Sequence, residues 1–232
     1  MKTFLISITS DCEGVKENYL DTVANIGDSA EIIMVSFLPY PPHADIHIIP
    51  VGVSYPGNLR RFDYFPKGFR DDDMIVFTDA SDVIFQAPIP QLNPNVIYLA
   101  NEYEKWGGDN WWTDKLKEYD FNDLDGTYIY NMGTWAMSYK NVKSLLTYIS
   151  ENKIRFNNWV ASDQVLFNMW LAEGVTRTET ISPLTPFACL YNGLKLGKFK
   201  KKKGKFYDEF DNLVPIVHAN GNNKDLLVNK NL

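Results

Sequence analysis

The sequence predicts an α/β fold in which a mostly parallel sheet is flanked by helices. Short apolar runs rich in strand-forming residues alternate with stretches whose apolar residues recur at helical spacing, which is typical of strand–helix–strand units. The run Met74–Phe77 is the clearest strand, because it is continuously apolar and ends abruptly in polar residues. With 232 residues, 45% of them hydrophobic, the chain can bury a substantial core. We expect one domain over residues 1–232.

The predicted elements follow one another in a clear order. Strands are predicted over 4–9, 31–37, 45–51, 74–77, 96–101, 128–138 and 214–221, and helices over 16–26, 59–65, 142–151 and 163–172. Pro50 marks the third strand as an edge strand, because proline lacks the N–H group that a central strand requires. Loops are predicted for 39–45, for the aromatic segment 106–112 and for the basic segment 195–205.

Charge is distributed unevenly along the chain. The net charge of −6 argues against a dedicated binder of duplex nucleic acid. The segment Lys195–Lys205 is different, because it holds seven lysines and no acidic residue. Three interpretations stay open for it: a solvated loop, a patch that attracts nucleotide phosphates, or a nucleic-acid acceptor groove in which Phe199, Phe206 and Tyr207 stack on bases.

Cysteine usage and hydropathy exclude several classes. The chain has two cysteines, Cys12 and Cys189, so neither a disulfide framework nor a cysteine-based zinc site is predicted. No apolar stretch approaches the length of a membrane span, and Met1–Thr9 is too short and too soon polar for a signal peptide. We therefore expect a cytoplasmic protein without a membrane span.

Two carboxylates follow the strand that ends at Phe77. Asp79 and Asp82 are three residues apart, and groups at the carboxyl end of a buried strand can point at one spot. Two neighbouring carboxylates repel each other unless a positive charge lies between them, and oxygen ligands suit Mg, Ca and Mn. The pair therefore indicates a metal–diphosphate site. The alternative is a solvated turn in which the aspartates cap the backbone.

His218 ends the last predicted strand, where a sheet would place it near the acidic pair. The Asn220–Gly221 turn that follows exposes backbone amides that can face phosphate oxygens, and Lys224 can supply a point charge to the same phosphate. A lone histidine is, however, more often a structural residue than a metal ligand. His43 and His47 have no comparable neighbours.

Four segments resemble a known family. They are MIVFTDASDVIF from residue 74, YNMG from 130, SDQ from 162 and VPIVHANGNNK from 214. In this order they resemble the glycosyltransferase domain of the procollagen lysyl hydroxylase/glycosyltransferase enzymes and related viral and phage sugar transferases. The resemblance covers nearly the whole chain. It implies a GT-A (Rossmann-like) fold and metal-dependent transfer of a sugar from a UDP-sugar to an acceptor hydroxyl on a protein, a glycan or a hydroxymethylated DNA base.

The resemblance also implies roles for individual residues. The ligands of Mn²⁺, or of Mg²⁺, would be Asp79, Asp82 and His218. Positions that match contacts to the nucleotide or its diphosphate are Thr9, Asn220, Gly221 and Lys224. Ser81 stands where the family has an aromatic residue that stacks on uracil. Asn131 and Gly133 match a strand that borders the acceptor side.

Asp163 and Trp106 are the candidate catalytic residues. Asp163, followed by Gln164, matches an acidic position close to the sugar, and it could act as a general base towards the acceptor hydroxyl. Its alternative role is to cap the helix that begins there, and Glu102 is a second candidate base. Trp106 resembles a mobile aromatic near the donor sugar, and glycines beside it would let a substrate lid close. Core packing is the alternative for the tryptophans.

Two other functions remain possible. A nucleotidyltransferase also uses carboxylate-bound metal on an α/β sheet. Such an enzyme would show a Gly-rich, basic phosphate loop after the first strand, whereas the loop Ser10–Gly14 has a single glycine and no basic residue. A non-catalytic module that binds nucleotide sugars would keep the fold and is expected to lose metal ligands, whereas all three are present.

Overall fold

The structure is a computed structural model of the chain. It describes residues 1–9, 19–38, 43–108, 110, 112–114, 124, 126–156, 162–173, 180–182, 187–219 and 227. The predicted donor-contacting residues Asn220, Gly221 and Lys224 lie outside the described residues, as does Trp111 of the aromatic segment.

The described residues form twelve strands. They are β1 (Thr3–Thr9), β2 (Glu31–Ser36), β3 (His47–Pro50), β4 (Met74–Thr78), β5 (Val83–Phe85), β6 (Val96–Lys105), β7 (Tyr128–Ser138), β8 (Thr180–Ser182), β9 (Phe187–Cys189), β10 (Phe199–Lys202), β11 (Lys205–Asp208) and β12 (Ile216–His218). Seven of them make one sheet in the order β3-β2-β1-β4-β7-β6-β8.

The centre of this sheet is parallel and buried on both faces. β1 pairs in parallel with β2 and β4, and β2 with β3. Every residue of β4 is buried, as is every residue of β1 after Thr3, which is why both strands read as nearly continuous apolar runs. β7 lies antiparallel between β4 and β6. β3 is at the edge of the sheet, as Pro50 predicts.

Helices cover both faces of the sheet. The α-helices are α1 (Tyr139–Asn152), α2 (Ser162–Glu173) and α3 (Leu190–Gly193), and the 3-10 segments are Val23–Ser29, Arg60–Tyr64 and Lys153–Phe156. The helix predicted over 16–26 is described only from residue 19 and becomes the 3-10 segment Val23–Ser29. The helix predicted over 59–65 is also a 3-10 segment. α2 packs on β7 and α1.

A second sheet, β5-β12-β9, lies beside the first. β12 is antiparallel to β5 and parallel to β9. β5, β8 and β9 are absent from the predicted strands because strands of three residues are too short to show a period of two.

The prediction of a basic loop over 195–205 is wrong. This segment contributes to the hairpin β10–β11, in which Phe199 pairs with Asp208 and Lys202 with Lys205. Lys203 and Gly204 both have positive φ, +47° and +78°, as a tight two-residue hairpin turn requires. Phe199 and Phe206 are buried, so an alternating pattern was present, but the run of lysines hid it.

Aromatic packing dominates one face of the main sheet. The rings of Phe77 and Trp135 are stacked at 5.1 Å, and Phe167 of α2 stacks on Trp135 at 6.3 Å. Smaller residues such as Leu5 and Val76 form the core of the other face, together with Phe85. Within the described part of the chain, no helix is long and apolar enough to cross a membrane.

Candidate metal and donor site

Asp79, Asp82 and His218 meet where β4 and β12 end. Asp79 is the first residue after β4, Asp82 immediately precedes β5, and His218 is the last residue of β12. In the β5–β12 ladder His218 lies opposite Val83, and the amide of Ala219 donates to the carbonyl of Asp82 at 2.8 Å. Backbone pairing therefore brings an imidazole from the end of the chain beside the acidic pair.

The three side chains fit one divalent cation. One ligand atom from each lies within 4.8 Å of the other two. The Nε2 atom of His218 is 3.3 Å from Oδ1 of Asp82 and 3.8 Å from Oδ2 of Asp79. Adjacent ligands of an octahedral ion bound at about 2.1 Å are about 3 Å apart. Carboxylates suit Mn and Mg, and imidazole suits transition metals, so this donor set fits Mn²⁺ better than Mg²⁺.

Gly133 lines the space between the ligand atoms. Its carbonyl accepts a hydrogen bond from the amide of Asp79 at 2.7 Å. A Cβ atom built at Gly133 would come within 2.6 Å of Cε1 of His218 and closer still to Oδ2 of Asp79. Any larger residue would therefore fill the cradle in which the imidazole and the carboxylate face each other.

Arg61 belongs to the candidate site, although the sequence pattern did not predict it. Its Nη1 donates to Oδ1 of Asp79 at 2.7 Å, and its Nη2 donates to Oδ2 of Asp163 at 3.2 Å. Burial disfavours the charged guanidinium, but Asp79 and Asp163 outweigh that effect and raise its pKa. Arg61 thus fixes one oxygen of Asp79 and leaves the other towards His218.

The available signal for Arg61 was weak. It lies in a short segment with the apolar residues Leu59, Phe62 and Phe65, all buried, and buried arginines almost always have partners. Three candidate-site carboxylates call for a nearby cation, but the sequence does not indicate which of the arginines supplies it.

Asp163 lies in the first turn of α2 and is buried. Besides Arg61, its carboxylate accepts a hydrogen bond from the backbone amide of Gln164 at 2.9 Å, through Oδ1. Burial raises the pKa of Asp163, and Arg61 opposes that rise. The guanidinium thereby connects the candidate metal ligand Asp79 to the candidate base.

A buried amide–carboxylate network continues from Gly133. The amide of Gly133 donates to Oδ1 of Asn131 at 2.8 Å. The Nδ2 of Asn131 and the Nε2 of Gln164 both donate to Oε1 of Glu102, at 2.8 and 2.9 Å. Burial raises the pKa of Glu102, and the two amides oppose it. Glu102 lies where β6 is bulged and Tyr103 has a φ of +60°; bulges of this kind redirect side chains beside functional sites.

Comparison with known structures shows the fold of the chain. No protein-family model and no curated protein matches the chain. The apo structure of WbbM, a bifunctional glycosyltransferase, matches 96% of the chain and 46% of its own length, with 13% identity and a TM-score of 0.52. The predicted fold class is confirmed: the chain has a mixed α/β fold of the GT-A, Rossmann-like type.

Two further structures are similar to a lesser degree. The galactosyltransferase LgtC, in complex with donor and acceptor sugar analogues, matches 94% of the chain and 87% of its own length, at 13% identity and a TM-score of 0.49. The cytidylyltransferase IspD of Francisella tularensis matches 72% of the chain and 87% of its own, with 10% identity and a TM-score of 0.40.

The imidazole of His218 lies in a strongly negative environment. The residue is buried, which disfavours the charged ring, but Asp82 and then Asp79 outweigh burial and raise its pKa. The Asp79 side chain is 26% exposed, whereas that of His218 is 2% exposed. The group is therefore closed on the histidine side and open to solvent on the Asp79 side.

The remaining predicted residues differ in their surroundings. Thr9 is buried at the carboxyl end of β1, the same end of the sheet as Asp79, because Ser7 pairs with Thr78. Ser81 donates a long hydrogen bond of 3.4 Å to Asp82.

The expectation that Trp106 is an exposed lid residue is wrong. Its side chain is 1% exposed and packs in the core against Trp112, which is the alternative that sequence analysis left open.

Proposed function

We propose that the chain is a metal-dependent glycosyltransferase that moves a sugar from a nucleotide sugar, a UDP-sugar, to an acceptor hydroxyl. The observation that carries the proposal is the convergence of Asp79, Asp82 and His218 within 4.8 Å at the carboxyl end of β4, on a GT-A fold. Ligands of open α/β sheets bind at this end of the strands.

The acidic pair and the imidazole would hold Mn²⁺ or Mg²⁺. When bound, the ion supplies charge stabilisation for the departing nucleotide diphosphate. Arg61 holds the Asp79 carboxylate in place and compensates its charge and that of Asp163. The partly exposed Asp79 marks the side from which the diphosphate enters. Lys224 and the amides around Asn220 and Gly221 would contact the same diphosphate, and Thr9 and Ser81 the nucleoside.

Asp163 is the proposed general base. A base works best when its pKa lies near the working pH, and burial raises the pKa of this carboxylate. A proton from the acceptor hydroxyl would pass to Asp163, while Arg61 and the Gln164 amide keep the carboxylate oriented. Asn131 and Gly133 border the acceptor side, and Trp106, being buried, is left out of the catalytic set. The acceptor would be a protein, a glycan or a hydroxymethylated DNA base.

A UDP-release assay tests the proposal. UDP release from a panel of UDP-sugars is measured with Mn²⁺, with Mg²⁺ and with chelator. In Asp79→Asn/Asp82→Asn we expect release to fall about 100-fold or more, since the loss of several kcal/mol of charge stabilisation costs a factor of ten per 1.36 kcal/mol. The exposed Asp21→Asn is the matched control and should behave as wild type. Release that needs no metal, or that survives in the double variant, would overturn the proposal.

A further inference from the structure

We propose that the hairpin β10–β11 is a docking surface for a strand of nucleic acid. The proposal rests on three features of the hairpin: its positive charge, its anchoring to the body of the protein and the lysines on its exposed face. It does not depend on the sugar-transfer chemistry proposed above, so either can fail without the other.

The hairpin is fastened to the body of the protein. The side chain of Gln86 donates to the carbonyls of Phe206 and Val214 at 3.1 and 2.7 Å, and it accepts from the amide of Phe206 at 2.8 Å. Phe199 packs edge-on against Tyr103 at 6.0 Å. A ribbon held in this way presents its outer side chains in fixed positions, unlike a solvated loop.

Alternation along the two strands places cations on the outer face. Phe199 and Phe206 point inwards and are buried, so Lys200, Lys202, Lys205 and Tyr207 belong to the opposite face. The three lysines are exposed and Tyr207 is half-buried. The Nζ of Lys202 lies 5.9 Å from the centre of the Tyr207 ring.

The hairpin is basic although the chain is acidic. Residues 195–211 contain seven lysines and three carboxylates, a net charge of +4, so a total of −6 leaves −10 for the rest of the chain. Asp211 binds Lys202 at 2.6 Å and Lys200 at 3.4 Å. Lys203 and Lys205, at the tip, make no ion pair with any described residue. A polyanion is therefore attracted to this surface and repelled elsewhere.

Exposed aromatic groups favour a nucleic acid over an anionic lipid surface. Phe210 is 69% exposed in a turn fixed by Asp208, whose carboxylate accepts from the amides of Phe210 and Asn212 at 2.9 and 2.7 Å. Cations combined with rings that can stack on bases are typical of single-strand binding. The lysine-rich tip, Lys202–Lys205, has no apolar side chain to enter a bilayer.

The hairpin packs in the same apolar cluster as the strand that carries His218. Phe199 and Phe206 belong to the same apolar cluster as Val217 of β12, and the next residue, His218, is a candidate metal ligand. The inner face of the hairpin therefore packs in one cluster with the strand that ends at a candidate metal ligand.

Fluorescence anisotropy of the full chain with labelled single-stranded DNA tests the proposal. The probe is about 20 nucleotides long, longer than a typical single-strand site, and is titrated between about 50 and 200 mM NaCl. The variant Lys203→Glu/Lys205→Glu is compared with Lys67→Glu/Lys140→Glu, which changes two exposed lysines elsewhere by the same total charge. A third variant, Tyr207→Ala, tests stacking without changing charge, and thermal unfolding checks that each variant is folded.

We expect the wild type and the Lys67/Lys140 control to bind alike. The hairpin double variant should bind at least about tenfold more weakly, and its slope of log K against log[salt] should be about 1.4 smaller, since each lost phosphate contact on a single strand accounts for about 0.7. Tyr207→Ala should also bind more weakly, because a ring that can stack on a base is lost. No binding by the wild type, equal losses in both double variants, or binding to phosphatidylserine vesicles but not to DNA would overturn the proposal.

Discussion

Gly133→Ala is the substitution that the site geometry predicts most sharply. The added methyl would lie 2.6 Å from Cε1 of His218, where ordinary contact begins at 3.4 Å, an overlap of about 0.8 Å in a packed site. Overpacking of this kind costs about 1–3 kcal/mol. Because the added methyl would lie against both Asp79 and His218, the strain is relieved by separating these two ligand groups. The same energy is then lost from cation binding, which corresponds to a Kd for Mn²⁺ about 5- to 150-fold higher.

Isothermal titration of Mn²⁺ and thermal unfolding check this reasoning together. Gly193→Ala is the matched control, because its methyl would lie 2.5 Å from Cδ2 of Phe199, an overlap with a ring of the hairpin cluster. We expect both variants to lose stability and only Gly133→Ala to lose Mn²⁺ affinity. Wild-type Mn²⁺ affinity in a folded Gly133→Ala protein would refute the placement of the cation beside this glycine.

Three further predictions concern the buried polar groups. Arg61→Ala should lower the free energy of unfolding by about 3 kcal/mol in urea titrations, because two carboxylates lose their counter-charge; the exposed Arg60→Ala should change it by less than about 0.5 kcal/mol. The pKa of Glu102 is raised above its ordinary 4.5, so its stabilising contribution is present below that pH and is lost as pH rises through the folded-state pKa. Glu102→Gln should therefore gain stability relative to wild type as pH rises above 4.5, and a pH-independent difference would contradict this. Gln86→Ala should leave hairpin backbone groups unpaired, so hydrogen exchange at the Phe206 amide should quicken; unchanged exchange would show that Gln86 does not hold the hairpin.

The parts of the fold that sequence predicted are those with strong local patterns. β1 and β4 were predicted because residues buried on both faces make nearly continuous apolar runs, and Pro50 predicts the edge position that β3 occupies. The three-residue strands β5, β8 and β9 have no such pattern. β5 and β9 are defined by their pairing with β12, which only the folded chain reveals.

Part of the candidate site could also be predicted, because those residues lie next to strands with strong local patterns. Asp79 and Asp82 could be predicted because they follow a buried strand, and His218 because it ends another. Arg61 was missed because its role depends on two carboxylates, Asp79 and Asp163, that are remote in sequence. Trp106 was misjudged because the polar residues around it resemble those of an exposed loop, whereas tertiary contacts bury its ring.

Anomalous diffraction at the manganese absorption edge, from crystals grown in Mn²⁺ and UDP, would locate the bound cation. The structure predicts one strong peak in contact with Asp79, Asp82 and His218, next to Gly133. A map in which this position is empty while Mn²⁺ binds the protein elsewhere would contradict the account.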